Sequence, residues 1–156
     1  MGSEYPETPR AAVGAIVMRG GRVLLVERGN PPAKGVWAIP GGSVELGETM
    51  REAAEREVLE ETGVHIRAGE LVHAFDSVVR DDDGRVRFHY VILDFAAEDL
   101  GGEVMAGGDA ADARFVSPEE SRDLRINRAT VELLRDLHDF FGDAEARRLD
   151  SPPRRK

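Results

Sequence analysis

The sequence predicts one domain of the α/β class, in which hairpins precede a central helix and further helices close the chain. Its length of 156 residues is close to the commonest size of a single domain. Hydrophobic residues at 41% and charged residues at 33% are typical of a globular protein, and no long uncharged run predicts a membrane span. We expect the domain to occupy residues 11–141, between mobile segments at 1–10 and 142–156.

Apolar runs near the start predict the first hairpin. Residues 11–18 and 23–27 have the composition of strands, and the pair Gly20-Gly21 between them is a favoured two-residue turn. A short apolar run at 36–39 predicts a third strand, because the Pro-Gly-Gly that follows stops it.

A second hairpin is predicted further along the chain. Residues 71–79 and 86–95 are rich in apolar side chains, and the acidic run at 81–84 ends in a turn-forming glycine. The stretch at 100–113 shows little pattern, so we expect a long irregular segment that is either a functional loop or a connector. A last strand is expected at 114–116.

Capping signals mark two helical segments. Thr49 and Glu52 form a capping box, and Gly63 stands where a helix C-cap is expected, which brackets a helix of about three to four turns. Ser117 and Glu120 form a second N-terminal signal. The chain then carries an apolar stripe at helical spacing, made of Ile126, Leu133, Leu134, Leu137 and Phe141.

Charge and composition limit the classes of binding partner that we expect. The net charge of −9 disfavours binding to long nucleic acids, so we expect a small nucleotide substrate and no membrane partner. The chain has no cysteine and no signal-peptide pattern, which predicts a cytoplasmic protein without disulfides. Exposed apolar faces of the hairpins would support a homodimer.

The first predicted helix carries an unusual set of carboxylates. Glu57, Glu60 and Glu61 share an arc of roughly 100° on the helix surface and would repel one another unless cations neutralise them. Oxygen donors favour a hard divalent ion, Mg²⁺ or Mn²⁺. The alternative is a solvated acidic face paired with Arg51 and Arg56.

The setting of this helix favours the metal interpretation. The residues read Gly42-x5-Glu48-x7-Arg56-Glu57-Val58-x-Glu60-Glu61-x-Gly63-Val64, which resembles the Nudix box, G-x5-E-x7-R-E-U-x-E-E-x-G-U with U a bulky aliphatic residue, at every specified position. The hairpin-first order and the segment at 24–42 also look like Nudix hydrolases, so the resemblance extends from residue 11 to about 141.

The resemblance implies a Nudix fold, a mixed β-sheet sandwiched between α-helices, and a metal-dependent pyrophosphohydrolase. It implies that Glu57 and Glu61 are direct metal ligands, that Glu60 is a further ligand or orients water, and that the Gly42 carbonyl completes the coordination. Arg56 would hold the glutamates in position. With Glu60, Glu61 and Arg56 as the catalytic set, the metal would cancel phosphate charge and activate water.

The candidate substrate contacts are Arg28, Trp37 and Glu103. Arg28 would contact phosphate or lie exposed, and Trp37, the one tryptophan, would stack on a base or anchor the core. The general base is either Glu60 or an acid from the irregular segment, which offers Glu103, Asp109 and Asp112.

The substrate is the least determined feature. The segment at 24–42 looks most like short ADP-ribose pyrophosphatases, which implies hydrolysis of ADP-ribose to AMP and ribose 5-phosphate. A downstream proline that several ADP-ribose enzymes carry is absent near Val79 and Arg80. Enzymes that hydrolyse oxidised nucleoside triphosphates are the alternative, and a non-catalytic nucleotide-binding module is the third possibility.

Overall fold

The structure is a computed structural model and describes residues 4–30 and 33–136. Within them the chain forms seven strands and three helices. In chain order these are β1 (Arg10–Arg19), β2 (Arg22–Arg28), β3 (Trp37–Ala38), β4 (Gly41–Ser43), α1 (Met50–Thr62), β5 (His65–Arg80), β6 (Val86–Gly101), β7 (Ala110–Val116), α2 (Pro118–Ser121) and α3 (Arg128–Asp136). In this part of the chain, no helix is long and apolar enough to cross a membrane.

The strands form a mixed sheet with β1 at its centre. β1 pairs in parallel with β6 and antiparallel with β4, while β6 carries β5 at the outer edge. β2 pairs with the end of β1 and holds both β3 and β7. The predicted first hairpin is confirmed, and Gly20 and Gly21 both take positive φ angles that favour glycine.

Helices cover both faces of the sheet. Alternate residues of β1 point to opposite sides, so Val13 and Ala15 pack towards α1 while Ile16 packs towards α3. On the first side the core includes Ala53 and Val58 of α1. The predicted architecture, a mixed sheet between helices, is therefore confirmed.

The second hairpin is much longer than the sequence predicts. β5 and β6 each span 16 residues, against predicted strands at 71–79 and 86–95. The pairing shifts register at several points, including the stretch from Ala68 to His73. Such irregularities interrupt the alternation by which a strand is recognised in a sequence, because an extra residue reverses the side on which later side chains point.

The predicted irregular segment is correspondingly shorter. β6 continues to Gly101 and β7 begins at Ala110, where its backbone pairs with Arg28 of β2, so only 102–109 lies outside strands. Ile126 does not belong to the last helix, because it forms a bridge with Trp37 before α3 begins. Two members of the predicted stripe, Leu137 and Phe141, lie outside the described residues.

Candidate active site

Capping residues at both ends of α1 determine where the helix begins and ends. Thr49 Oγ1 accepts from the Glu52 backbone N–H at 3.2 Å, and the Glu52 carboxylate accepts from the Thr49 N–H at 2.8 Å. At the other end Gly63, with φ at 73°, donates its N–H to the Leu59 carbonyl. Both predicted caps are confirmed, and they determine which turn of the helix carries the carboxylates.

Two glycines allow the chain to pass close to this helix. At Gly42 an added Cβ would overlap the Glu57 carboxylate, and at Gly41 it would overlap the backbone of Val13. The Gly41 N–H also donates to Glu61 Oε1 at 3.1 Å. The absence of a side chain at Gly42 therefore lets β4 lie directly against the Glu57 carboxylate, and its absence at Gly41 lets β4 lie close to β1.

Arg56 connects the acidic residues to one another. Its guanidinium makes two bonds to Glu48, at 2.7 and 2.9 Å, and a third to the Ser43 carbonyl at 3.1 Å. Its Nη1 reaches Glu57 at 2.9 Å and Glu60 at 3.2 Å. One planar fork thus ties the loop after β4 to the exposed side of α1.

This network changes the ionisation of its members. The hydrogen bonds from Arg56, assisted by the Glu45 backbone N–H, lower the pKa of Glu48 to about 2. The same pairing raises the pKa of Arg56, chiefly through Glu48 and then through Glu57. Both groups are charged throughout the physiological range, so the fork keeps its geometry there.

Glu61 has a different environment from its neighbours. Burial raises its pKa to about 8, the Gly41 N–H opposes that rise, and the nearby Glu57 charge adds to it. Glu57 is 17% exposed and Glu60 is 56% exposed at the side chain. In the described part of the chain, the ion pairs of Arg56 reach Glu57 and Glu60 and not Glu61.

The donor set fits a hard divalent cation. Across residues 4–30 and 33–136, no group of three or more His, Cys, Asp and Glu side chains has the spacing of a formed metal cage. The chemistry nevertheless suits Mg²⁺ or Mn²⁺, because every available donor is oxygen and the largely buried carboxyl of Glu61 lies beside a second carboxylate. Glu57 and Glu61 would hold the cation, with the more exposed Glu60 beside them.

A cavity of about 730 Å³ opens over these carboxylates. One part, which we call the loop arm, is lined by polar and small residues from β2, the loops and the start of β7: Val26, Glu27, Arg28, Gly29, Asn30, Ala33, Gly108, Asp109, Ala110 and Asn127. The other part, the sheet arm, is lined by Glu4, Ala12, Ser77, Val79, Phe88, Tyr90 and Ile92.

The carboxylates lie between the two arms. Gly42 pairs with Val13 of β1, and the preceding residue of β1, Ala12, pairs with Ile92 of the sheet arm. On the opposite side, the Gly107 N–H donates to the Glu61 carbonyl, which fixes the loop arm against the end of α1. A ligand that spans the cavity therefore passes the carboxylates with one group on each side.

Comparison with known proteins decides the family. The model of the NUDIX domain matches residues 8–137, which include all the strands and the carboxylate helix. The chain belongs to the Nudix family. The predicted family is confirmed, and the box identified in the sequence is the segment that builds the centre of the cavity.

Several named Nudix relatives resemble the chain. An ADP-ribose pyrophosphatase of Methanocaldococcus jannaschii is 41% identical over 107 residues, which cover 69% of this chain and 61% of that protein. A CTP pyrophosphohydrolase of Escherichia coli is 32% identical over 126 residues, covering 78% and 86% respectively. The crystal structure of a MutT Nudix hydrolase from Burkholderia pseudomallei superposes with a TM-score of 0.69 at 27% identity, covering 81% of this chain and 95% of that chain. The match to the archaeal relative thus spans less than two thirds of its length.

The predicted substrate contacts are only partly brought together in this Nudix domain. Arg28 lines the cavity, and its Nε is buried without a hydrogen-bond partner among the described residues. Trp37 does not reach the cavity: it is 4% exposed, lies in the core under α3 and carries the Arg114 guanidinium 4.6 Å from its ring centroid. Glu103 is exposed and outside the lining. The core interpretation of Trp37 is thus the one that fits its placement.

The candidate general bases differ in whether they line the cavity. Glu60 and Asp109 both line the cavity, from α1 and from the loop arm. Asp112 lies within β7 and pairs with Arg114 at 3.2 Å. Of the acids considered in the irregular segment, Asp109 is the one that faces the cavity.

Sequence reasoning missed the sheet arm. Its main members, Phe88, Tyr90 and Ile92, occupy alternate positions of β6, and Ser77 and Val79 face them from β5. The alternation at 88–92 is a usable signal, since it places three side chains on one face of a strand. Glu4 lacked any signal, because it precedes the domain that the sequence predicts.

Proposed function

We propose that this Nudix protein is a metal-dependent pyrophosphohydrolase of nucleoside diphosphates linked to another group, with ADP-ribose as its substrate. The observation that carries the proposal is the position of the box carboxylates between the loop arm and the sheet arm of one cavity. A substrate with a group on each side of a pyrophosphate matches this arrangement. A volume of about 730 Å³ is also within the range of small-molecule sites.

The two arms differ in chemistry, which supports a substrate with two unlike ends. The loop arm offers the Arg28 guanidinium, which suits the pyrophosphate phosphate that carries the terminal ribose. The sheet arm offers the rings of Phe88 and Tyr90, which suit a planar base. The pyrophosphate would then lie over Glu57 and Glu61.

The chain's own residues would position the reaction. Glu57 and Glu61 would hold the divalent cation, which when bound supplies charge neutralisation at the pyrophosphate and acidifies a water molecule. Arg56 orients Glu57 and Glu60 through its fork, and the Gly41 N–H orients Glu61. These contacts fix the carboxylates before substrate arrives, which avoids reorganisation during the reaction.

The proton of the attacking water requires an acceptor. Water attacks one phosphorus, the bridging P–O bond breaks, and the products are AMP and ribose 5-phosphate. Glu60 and Asp109 are the candidates, because both line the cavity. We assign the base to Glu60, which lies one residue from Glu61 and is held by Arg56 at 3.2 Å.

Support for ADP-ribose comes from the archaeal relative that is named for this substrate and is 41% identical. A second candidate function, hydrolysis of a nucleoside triphosphate to a monophosphate and pyrophosphate, is favoured by the CTP pyrophosphohydrolase, 86% of whose length is covered. The two reactions share the box and differ in what the cavity arms bind.

A substrate panel tests the proposal. Purified protein with Mg²⁺ or Mn²⁺ is given ADP-ribose, other nucleoside diphosphate sugars and nucleoside triphosphates, including oxidised dGTP, and scored by kcat/KM. We expect ADP-ribose to rank first and chromatography to yield AMP and ribose 5-phosphate. Glu57→Gln should abolish turnover of every substrate. Absence of metal-dependent turnover across the panel would favour a nucleotide-binding module instead.

A further inference from the structure

Tyr5, the second of the described residues, has an unusual backbone conformation. Tyr5 has a φ of 57°, and it is the one residue other than glycine with positive φ among the described residues. This conformation is unfavourable for a bulky side chain and persists only where surrounding contacts enforce it. Its cause therefore lies in what holds Tyr5.

Three contacts hold Tyr5 against the tip of the β5–β6 hairpin. Its N–H donates to the Arg87 carbonyl at 2.8 Å, and its hydroxyl donates to Asp81 Oδ2 at 3.0 Å. The Arg85 guanidinium lies 5.0 Å from its ring centroid. Backbone, hydroxyl and ring are thus all engaged, although the sequence predicts a mobile segment here.

This turn places Glu4 at the end of the sheet arm. Glu4 lines the cavity and accepts two bonds from Arg87, at 2.6 and 3.2 Å. Both bonds fall on Oε1, so within the described chain Oε2 has no donor. The Glu4 carboxylate is therefore held in place with one oxygen free to accept a further hydrogen bond.

The wall between the box and Glu4 is formed mainly by apolar and aromatic side chains of β6. Phe88, Tyr90 and Ile92 follow one another on the same face of β6. Ile92 lies two strand spacings across the sheet from Gly42, and Phe88 lies four residues from Ile92 along β6. The two perpendicular steps together give a distance of ~16 Å from Gly42 to Phe88. This length accommodates the ribose and base of a nucleotide whose phosphates lie at the box.

We propose that Glu4, positioned by the Tyr5 turn, is a specificity-determining residue that accepts a hydrogen bond from an exocyclic amino group of the substrate's nucleobase. The inference rests on the proposed function in that the ligand is a nucleotide. The base lies on Phe88 and Tyr90, and the free Oε2 of Glu4 receives the amino N–H. A base without an amino donor forms no hydrogen bond to this oxygen and binds more weakly.

Binding of the product tests this without requiring turnover. The affinity for AMP is compared with that for its analogue in which the amino group of adenine is replaced by hydrogen, by calorimetry with Mg²⁺ present. We expect the wild type to bind AMP about tenfold more tightly, as for loss of a hydrogen bond to a charged group. In Glu4→Ala the two affinities should become equal, mainly by weaker binding of AMP.

Two further variants separate recognition from general effects. Glu7→Ala removes the same charge from an exposed position of the same segment outside the cavity lining, and it should keep the wild-type preference. Tyr5→Ala removes the anchor without changing the identity of any cavity-lining residue. It should lose most of the preference, because the Tyr5 turn no longer positions Glu4. Equal affinities in the wild type, or an unchanged preference in Glu4→Ala, would overturn the inference. Failure of the proposed function is a separate outcome, since it is scored by hydrolysis of ADP-ribose.

Discussion

The box and the sheet arm are built from contacts of very different range. The partners of Arg56 lie 1, 4, 8 and 13 residues away in the sequence. At the end of the sheet arm, Glu4 bonds to Arg87 across 83 residues, and the neighbouring Tyr5 bonds to Asp81 across 76. The part of the cavity proposed to carry the chemistry is thus local, while the part proposed to select the base is assembled from distant segments.

This difference predicts different consequences for variants. A residue that acts on the reacting phosphates changes kcat, because it stabilises the transition state more than the bound substrate. A residue that holds the base changes KM and selectivity, because it binds substrate and transition state alike. The predictions below test this division, from the largest expected effect to the smallest.

Removal of one of the box carboxylates, Glu57 or Glu61, should have the largest effect. We expect Glu61→Gln or Glu57→Gln to reduce kcat by several orders of magnitude at saturating Mg²⁺, because the cation loses a ligand. The melting temperature in EDTA should stay the same or rise, since burial and the mutual repulsion of the two groups disfavour the state in which Glu57 and Glu61 are both ionised. Both are measured on one sample, by steady-state kinetics and thermal unfolding.

Glu70→Gln is the matched control, because Glu70 is exposed and outside the cavity lining. It should retain wild-type kcat and melting temperature. Wild-type activity in both Glu57→Gln and Glu61→Gln would show that the carboxylates are only a solvated face.

Arg56→Lys should have the next largest effect. A lysine keeps the charge but cannot make the two parallel bonds to Glu48 while also reaching Glu57 and Glu60. We expect kcat to fall about 10- to 100-fold, as for loss of residues that orient metal ligands, with little change in KM. Arg67→Lys, on the exposed surface of β5, is the control. An effect confined to KM would place Arg56 in substrate binding instead.

Metal should stabilise the folded protein. A ligand that binds only the folded state at 100 times its Kd adds about 2.7 kcal/mol to the free energy of unfolding. We expect millimolar Mg²⁺ to raise the melting temperature of the wild type and to raise that of Glu57→Gln much less. An equal shift in the two proteins would mean that the cation binds elsewhere.

The smallest effect concerns pH in the absence of metal. Burial raises the pKa of Glu61 to about 8, so between the ordinary carboxyl range and pH 8 the folded state holds a proton that the unfolded state has lost. The free energy of unfolding in EDTA should therefore fall as pH rises from 6 towards 8, by up to about 1.4 kcal/mol per pH unit, and level off above pH 8. Urea titrations of the wild type and Glu61→Gln check this, since the Gln variant should lack that slope. Parallel slopes in the two proteins would contradict the assignment.

The same contrast between contacts of short and long sequence separation explains which features the sequence predicts. The box helix and both its caps follow from residues at fixed short spacing, and so does the first hairpin with its Gly20-Gly21 turn. The long strands β5 and β6 were underestimated because register shifts near Leu71 and Val79 break the alternation of side chains.

The positions of Trp37 and Glu4 depend on tertiary packing. Trp37 stands directly before the box, and its burial depends on pairing with Ile126 and on packing under α3, which lie some ninety residues further along. Glu4 enters the cavity only because Tyr5 docks on the distant hairpin. No local pattern encodes either placement, because both depend on which surfaces the folded sheet brings together.

The most direct test of the proposed division of the cavity determines which substrate the protein prefers and which bond it breaks. ADP-ribose and oxidised dGTP are compared at equal Mg²⁺ concentration by kcat/KM, with products separated by chromatography and the attacked phosphorus located with ¹⁸O-labelled water. We predict that ADP-ribose is preferred and yields AMP and ribose 5-phosphate, with the label on one of the two monophosphates. A preference for oxidised dGTP of about a hundredfold or more, with release of pyrophosphate, would contradict the account.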